Sequence, residues 1–164
     1  MARWEITIAD PSNTYGSVYF KPGGDSYNRS IFEEISVNRF TSRNTAILTG
    51  NKTGYRYVWS ISALTIPIND LRVLEGLIRL VMEGTRTHLL LTDEVEELSP
   101  EISPHKKTLI ATPSTVNGLV YGFGRFAVVP QRVDQNPRKH LGYIGDREFK
   151  SINLQFIEIP NIVV

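Results

Sequence analysis

Apolar and polar residues alternate with a period of two along most of the chain, and once they switch to a helical period. In RWEITIA, Trp4, Ile6 and Ile8 fall on one face and Arg3, Glu5 and Thr7 on the other, which predicts a strand broken by ADPSNTYG near Asp10. SVYF is a short β-prone run ended by Pro22-Gly23-Gly24, and FEEISVNRFTSR resumes with Ile35, Val37 and Arg39 in alternation. TAILTGNKTGYRYVWSISALTI then reads as two β-rich runs separated by Gly50-Asn51-Lys52-Thr53-Gly54, the length and composition of a hairpin loop.

The period changes after Pro67. Leu71, Leu74, Leu77, Ile78 and Val81 recur every 3.6 residues, Asn69 or Asp70 can cap, Glu75 and Arg79 stand at i,i+4, and Gly84 stops the pattern. This predicts a helix from Asn69 or Asp70 to about Glu83, with Leu74, Leu77 and Val81 buried. THLLLTD follows as a strand apolar on both faces. A lone helix with one apolar stripe needs a sheet to cover, so the fold class is mainly β with one amphipathic helix, a β-barrel or sandwich flanked by a single α-helix.

DEVEELSPEISPHKK predicts an acidic loop in which Pro100 and Pro104 prevent regular structure. TLIATPSTVNGLVYGFGRFAVVPQRV predicts two strands around Asn117-Gly118, a strong hairpin signal. After the polar loop DQNPRKHLGYIGD, the strand REFKSINLQFIEI sets Ile152, Leu154, Phe156 and Glu158 opposite Asn153, Gln155, Ile157 and Ile159. With no repeat, low-complexity segment or linker, residues 1–164 read as a single domain.

Composition narrows the function classes. The 164 residues are 41% hydrophobic, enough for a core without covalent staples. The absence of cysteine excludes disulfide scaffolds, cysteine nucleophiles and cysteine-based zinc sites. Eighteen bases against 17 acids, dispersed along the chain, create no global field toward nucleic acid or anionic lipid. No run is apolar and long enough for a signal-peptide core or a membrane span, so the expectation is a chain soluble where it is made, with no membrane partner.

Motifs that look like chemistry have plainer readings. GFGRFA satisfies G-x-G-x-x-A, but a β-prone FAVVPQ follows where a dinucleotide site needs a helix. YGFGRFAVV departs from the RNA-recognition pattern at Tyr121 and Arg125, and no second helix can follow it. TGNKTGY lacks the spacing of a phosphate loop. His88, His105 and His140 are too far apart for a local metal motif, and no Ser/His/Asp arrangement is present. No catalytic residue, metal ligand or cofactor is expected.

The order YRYVWSISALTIPINDLRVLEGLIRLVMEGTRTHLLLTDEV, then a long loop, a Gly-rich hairpin and FKSINLQFIEI, resembles tail-tube and distal-tail (baseplate ring) proteins of contractile and siphovirus-type phages. Three features carry the resemblance, which spans about residues 31–159: the aromatic strand from Tyr55 to Ile61 entering one helix, the apolar strand ending in Asp93, and the terminal L-x-F-x-E. The family implies a virion component, made in the host cytoplasm. Copies form a ring, usually a hexamer, around a channel that DNA passes through without specific binding, and other tail, baseplate or hub proteins meet the ring. Long hairpins in such proteins pair with a neighbouring copy, and lumen surfaces tend to be acidic.

On that reading the subunit or partner interface is expected at Arg43, Asn51, Lys52, Thr53, Arg138, Lys139 and His140, in polar segments beside β-rich runs. Asp93, Glu94, Glu96, Glu97 and Glu101 are expected to form an acidic loop facing the lumen or a partner. The chain shows no second, galectin-like module, which favours a bare ring domain. A head–tail connector or tail terminator is the alternative within phage structure, and a small nucleic-acid-binding β-barrel the alternative from another class, with a hydrolase behind both.

Overall fold

The structure, a computed structural model, describes residues 4–40, 47–98, 108–109, 114–133, 139–144, 147–159 and 162. The elements run β1 (Ile6–Ala9), β2 (Ser17–Phe20), β3 (Tyr27–Phe40), β4 (Ile47–Pro67), α1 (Ile68–Met82), β5 (Leu89–Leu98), β6 (Thr108–Leu109), β7 (Ser114–Val116), β8 (Leu119–Val133), β9 (Lys139–Ile144) and β10 (Arg147–Glu158). The fold is mainly β with a single helix among the described residues, as the periodicity predicts.

One antiparallel sheet runs in the order β2-β1-β5-β8-β10-β4-β3, with β6 and β7 added to β8 and β9 added to β10. It does not close into a barrel. Among the described residues β2 and β3 end the order and no pairing joins them, so of the two expected forms the open, sandwich-like one is found.

Strand alternation sends every second residue to one face. That face carries Ile6 and Ile8 of β1, Leu89 and Leu91 of β5, Phe126 and Val128 of β8, Leu154 and Phe156 of β10, and Tyr57, Trp59 and Ile61 of β4, all buried. Trp59 and Phe126 meet edge to face at 4.8 Å, and Tyr57 meets Phe126 at 5.6 Å. Leu71, Leu74, Leu77 and Ile78 of α1 cover this face. Each such side chain contributes about 1.5–3 kcal/mol by leaving water.

The helix starts one or two residues before the predicted cap. Pro67 occupies the N-cap position, and no side chain caps the first turn, so neither Asn69 nor Asp70 has that role. Proline fits because its fixed φ and missing N–H cost nothing there. At the other end Gly84 adopts φ +79°, and the Arg86 amide donates to the Leu80 carbonyl at 3.0 Å, a closure that a left-handed residue permits. Val81 is only partly buried, whereas Leu71 and Ile78 are fully so. The apolar stripe is thus rotated slightly from the predicted one.

Three further expectations are corrected. Gly50 to Gly54 is not a hairpin loop: these residues lie inside β4, where Gly50, Asn51 and Lys52 pair with Val37, Ser36 and Ile35 and Thr53 is the extra residue of a bulge. Pairing with β3 satisfies backbone groups that the glycine-rich composition alone would have left to a turn. Lys139 and His140 likewise lie on a strand, β9, opposite Ser151 and Lys150 of β10. Trp4, expected beside Ile6, is instead 59% exposed with φ +53°.

β10 pairs with β4 no further than Val58. From Ile31↔Tyr57 to Phe40↔Ile47, β3 and β4 pair only with each other among the described residues, over ten residue pairs. This two-stranded ribbon is about 30 Å long at the usual strand rise.

Candidate functional site

Asp93 is expected in an acidic loop facing the lumen or a partner, and the structure places it instead inside a strand. β5 continues to Leu98, and Asp93 is fully buried on the same face as Leu89 and Leu91. Its Oδ2 accepts from the Tyr27 hydroxyl at 2.6 Å, the Trp59 indole at 3.0 Å and the Arg29 guanidinium at 3.1 Å. Its Oδ1 accepts from the Val95 and Glu96 amides at 2.9 and 3.3 Å. Five donors, one of them the buried Arg29 cation, offset the cost of desolvating the carboxylate.

Arg29 has a second task. Its guanidinium donates to the Glu96 and Glu97 carbonyls, both at 3.0 Å, and lies 5.0 Å from the Tyr57 ring centre. The root of β3 therefore holds the end of β5, although β8, β10 and β4 separate the two strands in the sheet order. Burial, reinforced by the neighbouring Asp93 charge, pushes the Tyr27 phenol well above its ordinary value. Of the remaining expected acids, Glu94 is half-buried, Glu96 and Glu97 are exposed at the end of β5, and Glu101 lies outside the described residues.

A second polar knot sits in the loop after β1. Asp10, also buried, accepts from Arg86 Nε at 2.8 Å and from the Thr14 and Tyr15 amides at 3.0 and 3.1 Å. The Arg86 hydrogen bond holds the Asp10 carboxyl well below the usual carboxylate range, burial opposing it. The same guanidinium lies 5.6 Å from the Tyr15 ring centre.

The knot fixes Tyr15 as one wall of an open groove of about 340 Å³, whose floor is the Val73, Gly76, Leu77 and Leu80 face of α1 and whose rim is Arg79 and Glu83. Tyr15 and Val73 are 54% and 40% exposed, and nothing lies within 4 Å of where a Gly76 Cβ would stand.

The expected interface residues are not gathered in one place by the described structure. Asn51, Lys52 and Thr53 are in the ribbon, Lys139 and His140 on β9, and Arg43 and Arg138 outside the described residues. GFGRFA lies inside β8, where Phe123 and Phe126 are buried and a Gly124 Cβ would stand 2.6 Å from Leu98 and 2.8 Å from Phe126. Its glycine thus admits close packing. Among the described residues no group of three or more His, Asp or Glu is placed to hold a metal, and no helix is long and apolar enough to cross a membrane.

Arg29, Tyr27, Trp59, Asp10 and Arg86 were missed as polar centres. A signal existed for Arg29, which shares a strand face with Tyr27, and for the burial of Asp93, which continues the period-two positions of Leu89 and Leu91. A charge in phase with core positions requires a buried counter-charge. No protein-family model, curated protein or solved structure matches the chain.

Proposed function

We propose that this chain is a structural subunit that assembles with copies of itself into a ring, and that the ring belongs to a phage tail or baseplate around the DNA channel. The ribbon of β3 and β4 carries the first half of this reading. A two-stranded ribbon is marginal in water by itself, and a long edge strand is a template for pairing with another chain. Ile31, at the root of the ribbon and 58% exposed, adds apolar surface that a neighbour would cover.

The tail assignment rests on the element order described above: an aromatic strand entering one helix, an apolar strand leaving it and a terminal L-x-F-x-E strand. In a ring, Glu96 and Glu97 are the candidates to face the lumen or a partner, where their charge would repel the DNA backbone.

Microscopy and mass measurement on the purified chain test the assembly. Replacing residues 35–53 by Asn-Gly would close β3 and β4 at the Glu34↔Gly54 pair while leaving the core face intact. The expected product is a folded monomer, whereas the full chain forms closed rings. Rings of unchanged size from the shortened chain would refute the ribbon as the subunit contact.

A further inference from the structure

Asn117 stands at the tip of the β7–β8 hairpin and is the only asparagine in the chain that precedes a glycine. An asparagine can react with its own backbone when the nitrogen of the next residue attacks Cγ and displaces the carboxamide nitrogen. A side chain on that next residue shields the attacking nitrogen, and glycine has none. Elsewhere among the described residues Asn13 precedes β-branched Thr14, Asn28 precedes Arg29 within β3, and Asn69 lies in α1. Asn153 precedes Leu154, and its Oδ1 accepts from the Ala63 amide at 2.8 Å.

The surroundings of Asn117 leave it free to react. Asn117 and Gly118 are exposed, nothing lies within 4 Å of where a Gly118 Cβ would stand, and no hydrogen bond to another described residue holds the Asn117 carboxamide. The two residues turn the chain with φ +51° and +81°, as a two-residue type I′ turn does. Ring closure requires Asn117 to rotate out of that turn. The turn is closed by Ser114↔Tyr121, Thr115↔Val120 and Val116↔Leu119, and β7 is exposed along its whole length. Opening these pairs is a local event that leaves β8 paired with β5 and β10.

We infer that Asn117 is a site of spontaneous, one-way modification, where the hairpin tip converts itself to aspartate and isoaspartate with water as the only reagent. The Gly118 nitrogen bonds to Asn117 Cγ, the Cγ–Nδ2 bond breaks, and ammonia leaves with the proton of the Gly118 amide, which gives a succinimide. Water then opens the ring. Addition at Cγ restores the ordinary peptide link and leaves an aspartate. Addition at the Asn117 carbonyl carbon leaves an isoaspartate, whose main chain runs through Cβ and Cγ and is longer by one methylene. Either product places a carboxylate in a stretch, Thr108 to Gly124, that carries no charged residue. The isoaspartate also lengthens the turn and so disturbs the Val116↔Leu119 pair. The tip therefore changes charge and shape as the molecule ages. The reaction needs no partner and stands apart from the ring reading.

The full chain, aged at neutral pH and sampled by peptide mass spectrometry, should show the amide-to-acid mass gain at Asn117 ahead of every other asparagine. Its rate should lie within about tenfold of that of a free peptide of residues 114–121, since a short exposed hairpin opens readily. An isoaspartate-specific carboxyl methyltransferase should label the aged chain. Asn117→Gly keeps a residue suited to positive φ and removes the carboxamide, so it should abolish that label while circular dichroism stays unchanged. Conversion more than tenfold slower than in the peptide, earlier conversion at another asparagine, or a label that survives in Asn117→Gly would each overturn the inference.

Discussion

Arg29 Nη1 lies 3.1 Å from Asp93 Oδ2, and the two side chains are 5% and 0% exposed. The pair joins β3 to β5, strands that share no backbone pairing, and so spans the open side of a sheet that does not close. It also anchors the ribbon at its root, since Arg29 stands two residues before Ile31, where pairing with β4 alone begins.

Breaking this pair should cost about 3–5 kcal/mol, because loss of Arg29 leaves Asp93 buried without a counter-charge and loss of Asp93 leaves Arg29 only the half-exposed Glu96 carboxylate, at 3.5 Å. Asp93→Asn and Arg29→Met are therefore each expected to lower the urea midpoint strongly. The double variant should be no less stable than either single one. Additive losses in the double-mutant cycle would mean that the two groups act independently.

Tyr27 sets the alkaline limit. Its phenol is pushed up by burial and by Asp93, so the folded state favours the protonated form. The contribution is whole below the unfolded phenol value of about 10 and is lost as pH rises above it. Stability measured between pH 9 and 11 should fall less steeply in Tyr27→Phe than in the unaltered chain, although the variant starts lower for want of the hydrogen bond to Asp93.

Asp10 acts on the acid side with the opposite sign. Its carboxyl is held below the ordinary value of 3.8, chiefly by Arg86, so its contribution is present above about pH 4 and disappears as pH falls further. Urea midpoints between pH 6 and 2.5 should show a shallower acid limb in Asp10→Asn. An identical acid limb in the variant would remove Asp10 from the account.

Gly124 distinguishes packing from cofactor binding in the GFGRFA stretch. A methyl group there would stand within 3 Å of Leu98 and of the Phe126 ring, both buried, so Gly124→Ala should destabilise the fold by about 1–3 kcal/mol. Thermal melting without any nucleotide present measures this directly. An unchanged melting temperature would show that the strand has slack at this point.

The sequence by itself determined the local elements, because each is specified by residues within a few positions of one another. The 3.6 period of Leu71, Leu74, Leu77 and Ile78, the stop at Gly84, the turn at Asn117-Gly118 and the buried face of Leu154, Phe156 and Glu158 are all legible without knowing any partner. Tertiary structure decided what depends on strands far apart in the chain. Gly50 to Gly54 has the composition of a turn, yet pairing with residues 34–37 draws it into a strand and moves the hairpin elsewhere. Asp93 stands at the head of an acidic run that reads as solvated, yet Arg29 and Tyr27, more than sixty residues earlier, make its burial affordable. The groove beside Tyr15 is composed in the same way, from a helix face and a loop joined by Asp10 and Arg86. Periodicity assigns a face to a side chain, but only the approach of distant strands supplies the counter-charge or the opposing wall.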